Sequence, residues 1–186
     1  MLRFYKIPYK DTLSTWEISP ITGNLMKSKL PDYSKQTYNC KIKESLHLIN
    51  HPYEVEWNPE PSKSELDCTT AKKIERYNKK LFKLGNTNFF LSILYSYLSK
   101  HHFKTTHCAF SYISNLKDHE YGSNSCFQRC LLVAKTSKSF KKNGILYIGA
   151  ELATFNMHAW IIEGNSQPDI ADRVWINYRP MLAITY

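Results

Sequence analysis

A change of hydrophobic period between residues 126 and 162 constrains the fold of this 186-residue chain more than any other feature. Phe127, Cys130, Leu131 and Ala134 recur at the spacing of one helical face, and Ser123-Asn124-Ser125 supplies N-cap residue types just ahead of Cys126. The basic pair Lys141-Lys142 followed by Asn143-Gly144 marks the expected helix end. Ile145 to Ala150 is rich in β-branched and aromatic residues and reads as a strand. After a loop, Asn156 to Ile162 reads as another. A helix feeding two adjacent strands predicts an α+β fold.

The residues at the ends of these elements carry chemistry. A thiol attacks an acyl carbon as thiolate, and a helix N-terminus together with an imidazole lowers its pKa, so Cys126 occupies a suitable place. His158 lies within the second strand, where alternation puts it on one face with Trp160 and Ile162 while Met157, Ala159 and Ile161 face the other way. A third group is needed to orient the imidazole. Gly164 permits a turn that returns Asp169 alongside the strand, and Asp172 competes for that role.

The run Cys126-Phe127-Gln128-Arg129-Cys130-Leu131-Leu132, then Tyr147-Ile148-Gly149-Ala150, then His158-Ala159-Trp160-Ile161 with Gly164 and an acid beyond, resembles the leader peptidases of lasso-peptide biosynthesis. These are the transglutaminase-like B proteins of bacterial microcin processing, with the pattern C-x-x-R-A-L…hIGV…HAWVE-x-x-G…D. The resemblance covers about residues 123 to 175. It implies a transglutaminase-like, papain-like fold with Cys126 as nucleophile, Arg129 one turn further along the helix, His158 as general base and Asp169 as orienting acid. This chain departs from the pattern in two places. Ile162 stands where Glu is frequent, and the segment from His158 to Gly164 is one residue shorter, which leaves Asp169 and Asp172 both open.

The implied reaction is cleavage of the amide between leader and core of a ribosomally made precursor peptide. The resemblance also implies dependence on ATP and on an asparagine-synthetase-like lasso cyclase as partner, besides the leader peptide. The chain has neither a G-x-x-x-x-G-K-[ST] nor a G-x-G-x-x-G loop, so nucleotide handling is expected in the partner. Two readings from other classes use the same residues. A transamidating acyltransferase would resolve the acyl-enzyme with an amine, and a peptide-binding module would not use Cys126 chemically at all.

The rest of the chain frames this core. Five cysteines, odd in number and with no C-x-x-C pair, suit a reduced, cytoplasmic setting. Leu2 to Pro8 reads as a strand rather than a signal segment, and Thr15–Ile18 is expected to pair with Asn24–Lys27 around Ile21-Thr22-Gly23. Residues 51–69 carry Pro52, Pro59 and Pro61 and are the expected linker. The division is therefore 1–69 as a strand-rich N-terminal region and 70–186 as the catalytic domain, with a helical lead-in over 70–122 and the core over 123–186. In the resembled family the N-terminal part can take the leader peptide as an added strand. A helix over Thr70–Leu84 is expected to bury Ile74, Tyr77, Leu81 and Leu84 and to expose Lys72, Lys73, Arg76, Lys79, Lys80 and Lys83. The net charge of +9 is spread along the chain and no motif points to nucleic acid. Phe89 to Leu98 is apolar nearly all round, about half the length of a membrane span, and reads as a buried helix. His101, His102, His107 and Cys108 lack the second half of a zinc pattern, and no metal is expected; Cys108 to Ile113 reads as strand-like.

Overall fold

The computed structural model describes residues 2–7, 9–10, 15–28, 38, 40–50, 66–98, 100–114, 116, 126–151, 153–154, 156–168 and 174–186. Helix and sheet are mixed, as the α+β expectation has it. The strands are β1 (Arg3–Lys6), β2 (Tyr9–Lys10), β3 (Thr15–Ile18), β4 (Leu25–Ser28), β5 (Gly144–Glu151), β6 (Asn156–Glu163) and β7 (Arg179–Thr185). The helices are α1 (Cys40–Asn50), α2 (Cys68–Thr87), α3 (Phe89–Tyr97), α4 (Thr106–Ser114), α5 (Cys126–Thr136) and α6 (Lys138–Asn143), with a 3₁₀ turn at Val174–Asn177.

The main sheet is antiparallel in the order β1-β7-β5-β6, and β2-β3-β4 form a second antiparallel sheet. Alternation along the main sheet divides the interior in two. Leu146, Ile148 and Ala150 of β5 with Ala159 and Ile161 of β6 share a core with Ile74, Ile93, Phe110, Leu131 and Phe140 from the helices. Ile145 and Tyr147 with Trp160 and Ile162 face the other way, against Ile42 and Leu48 of α1 and Trp175 of the 3₁₀ turn. The aromatic residues of this second core each remove roughly 150–250 Å² from water, the dominant favourable contribution on that face.

Residues on both sides of position 69 share one sheet and one core. β1 pairs with β7 in the register Phe4↔Ile184, and Ile18 of β3 is buried in the same cluster as Leu131 and Leu182. The hairpin expected around Ile21-Thr22-Gly23 forms, with Gly23 at a φ of +74° in the left-handed region that a glycine tolerates. Of the expected linker 51–69, residues 51–65 lie outside the described part, and Asp67 is the N-cap of α2, its carboxylate accepting from Thr70 N–H at 2.9 Å.

Three expectations change. The helix from Cys126 does not run to Asn143: it breaks at Ser137, whose hydroxyl accepts from Phe140 N–H and starts α6. The break is held from outside, because Lys100 N–H donates to Lys135 O and both His102 and Phe103 N–H donate to Thr136 O. Cys108 to Ile113 is helical, not strand-like, since Thr106, Ala109, Phe110 and Ile113 fall on one buried helical face. The N-terminal third, expected as strands and turns, also contains α1, whose Ile42, Ser45 and Leu48 face the sheet.

α2 buries Ile74 and Leu81 of its expected stripe, leaves Tyr77 and Leu84 half-buried, and exposes the six basic residues. α3 buries only one face, that of Ser92, Ile93, Ser96 and Tyr97, and leaves Leu91 exposed. Among the described residues no helix is long and apolar enough to cross a membrane.

Candidate active site

α5 brings its first residue, Cys126, to the outer strand of the main sheet. Ala159 of β6 donates its N–H to Cys126 Sγ at 3.3 Å, and one helical turn later Cys130 Sγ donates to the carbonyl of the same Ala159 at 3.5 Å. Two thiols spaced by one turn thus occupy both backbone groups of a single strand residue. Cys130 is almost fully buried, whereas Cys126 retains partial exposure. This sets the height of α5 along β6.

His158 precedes Ala159, and its side chain hydrogen-bonds Cys126. Its own face of the sheet carries the second core, so the imidazole reaches the thiol around the edge of β6. Trp160 lies parallel to the imidazole at 6.1 Å between centroids and 14° between planes, and Tyr178 lies at 5.0 Å and 36°. Beneath them Trp160 stacks on Tyr147 and on Trp175. Gly149, the register partner of His158, gives this stack room. A Cβ there would fall 2.3 Å from Arg179 O and 2.8 Å from the Trp160 ring. The register also shifts between Ile148 and Gly149 where β5 meets β7, a bulge that a residue without a side chain accommodates.

The electrostatics follow from these neighbours. Burial pushes the Cys126 thiol up, but the His158 hydrogen bond and charge, with the N–H groups of Ala159 and Phe127, outweigh it and hold the thiol below its ordinary value. The Phe127 N–H is one that α5 leaves unused in its own ladder, so the helix terminus itself contributes. A thiol shifted in this way, beside an imidazole, is arranged for nucleophilic attack.

A cavity of about 330 Å³ opens at Cys126 and His158. The turn between β3 and β4 contributes Thr22 and Gly23, and the junction of α2 and α3 contributes Gly85, Thr87, Asn88 and Phe89. Phe127, Ile148, Met157 and Ala159 complete it.

The sequence-expected pair Cys126 and His158 is therefore brought together. Asp169 and Asp172 lie outside the described residues, as do Ser123-Asn124-Ser125. Sequence reasoning foresaw the Gly23 turn but placed neither it nor Tyr178 at the site, because each reaches Cys126 and His158 through contacts between distant segments. Of the other histidines, His102 stacks on Tyr77, and the Nδ1 atoms of His101 and His107 lie 3.2 Å from Ser137 O and Pro168 O. Among the described residues no three His, Cys, Asp or Glu side chains are placed to hold a metal ion. Comparison of the chain with family models, curated proteins and solved structures found no match.

Proposed function

We propose that this chain is a cysteine peptidase of transglutaminase-like type that removes the leader from a ribosomally made, lasso-type precursor peptide. The observation that carries the reading is the Cys126–His158 hydrogen bond at the N-terminus of α5, with the thiol held below its ordinary pKa beside a cavity. The substrate class comes from the resemblance of the Cys126, Gly149 and His158 segments to the lasso leader peptidases. In the reaction Cys126 Sγ attacks the scissile carbonyl, and His158 passes a proton to the leaving amine of the core peptide. Water, deprotonated by His158, then releases the leader as its carboxylate. Asp169 would hold the imidazole tautomer. ATP and an asparagine-synthetase-like cyclase would act as co-reactant and partner.

The test is mass spectrometry of a precursor peptide incubated with ATP, the cyclase and either the natural chain or Cys126→Ser. Release of a free leader carboxylate by the natural chain alone supports the peptidase. Capture of the leader as an amide would favour acyl transfer to an amine, and equal release by Cys126→Ser would remove the thiol from the mechanism.

A further inference from the structure

One wall of the cavity beside Cys126 is aromatic and aliphatic, and the rest is polar but bears no carboxylate or ammonium. Phe89 and Phe127 stack at 4.9 Å between centroids and 12° between planes, which joins the start of α3 to the first turn of α5. Gly23 also lies against Phe89, where a Cβ would fall 2.5 Å from the ring. The ring thus contacts both a backbone and a second ring, and a side chain at position 23 would have to displace it. Ile148 and Met157 complete this apolar part. Met157 is 39 % exposed although it lies on the helix-covered face of β6, where Ala159 and Ile161 are at most 1 % exposed. An unbranched, polarizable side chain left uncovered at a cavity suits an occupant of irregular shape. The polar contributors are Thr22, Thr87 and Asn88, all uncharged, and among the described lining residues His158 is the one titratable group besides Cys126.

We propose that this cavity seats an uncharged, apolar side chain of the peptide residue whose carbonyl Cys126 attacks. The inference rests on Cys126 being a nucleophile and adds the substrate's side-chain class. At about 330 Å³ the space lies at the small end of ligand pockets, large enough for one or two residues and too small for a folded partner. An aliphatic or aromatic side chain would replace water against Phe89, Phe127 and Met157. A carboxylate or ammonium would lose hydration there, and the ionisable groups among the described lining residues, Cys126 and His158, are already engaged with each other.

The experiment measures inactivation by N-acetyl-phenylalanyl and N-acetyl-aspartyl chloromethyl ketones, with labelling mapped to Cys126 by mass spectrometry. Each rate is divided by the iodoacetamide rate of the same protein, so that thiol reactivity cancels. The phenylalanyl reagent is expected to lead by roughly tenfold or more, the range an apolar pocket supplies. Met157→Lys, at an exposed position that leaves the core intact, is expected to cut that ratio at least several-fold by attracting the aspartyl reagent. A ratio near one in the natural chain, or one that Met157→Lys leaves unchanged, overturns the pocket assignment while the nucleophile stands. Failure of iodoacetamide to label Cys126 overturns both.

Discussion

His158→Ala is expected to slow alkylation of Cys126 at neutral pH and to move the pH midpoint of that reaction upward. Burial opposes the thiolate, and the imidazole is the first of the groups that offset it, ahead of the N–H groups of Ala159 and Phe127. Removing the ring leaves those two donors against burial alone. A hydrogen bond to a charged group contributes about 1.5–3 kcal/mol, which at about 1.4 kcal/mol per decade is roughly a 10- to 100-fold loss of thiolate at pH 7. Water entering the space above Trp160 would restore part of the hydration, so the lower end of that range is expected. The assay is the iodoacetamide rate as a function of pH, read by peptide mapping because Cys40, Cys68, Cys108 and Cys130 are also thiols outside any disulfide. A variant with the natural rate and the natural midpoint would show that His158 does not tune the thiol, and the electrostatic argument would fail with it.

Other consequences of the fold are open to measurement. Lys135 is buried and donates to Tyr95 O and Leu98 O at the end of α3, but burial first, then the charges of Lys100 and Lys80, lower its pKa to about 8. Its folded pKa lies below the unfolded one, so stability should rise with pH from about 8 up to the ordinary lysine value, and the loss should be complete once pH has dropped through about 8. Lys135→Met should flatten that part of a stability-versus-pH curve, an effect on the order of 3 kcal/mol; an unchanged curve would locate the ammonium in water. Gly149→Ala should cost about 1–3 kcal/mol in denaturant unfolding and also slow Cys126 alkylation, because the new methyl meets the Trp160 ring beside His158. Phe140→Ala removes a fully buried ring that meets Tyr97 and Tyr186 edge-on, and should lower stability by about 3–5 kcal/mol in the same assay.

Much of the site can be read from local pattern. The helix α5, strands β5 and β6, and the separation of Trp160 and Ile162 from Ala159 and Ile161 follow from hydrophobic period, and the two cores reproduce that separation. What escapes is non-local. The helical period continues past Ser137, yet backbone donors from residues 100–103 take the carbonyls at the end of α5 and stop it there. β1 lies at the opposite end of the chain from β7, and no periodicity in Arg3–Lys6 names its partner. α1 was legible in principle, since Ile42, Ser45 and Leu48 recur at three-residue intervals, but the stripe is narrow, carries a serine at its centre and is crowded by Lys41, Lys43, Glu44 and His47. Tyr178 enters the site because the 3₁₀ turn leads the chain back beneath β6, which only the folded topology discloses.

The double engagement of Ala159 has a consequence for solubility. An outer strand with unpaired N–H and C=O groups can template strand addition from another molecule. At Ala159 both groups are occupied by sulfur, one thiol accepting and the other donating. Cys126 is therefore also part of the cover on that edge. Cys126→Ala would leave the Ala159 N–H without its acceptor, whereas Cys126→Ser supplies an oxygen in its place. Of these two variants the serine form should stay monodisperse at higher concentration, and the alanine form should show the greater tendency to self-associate.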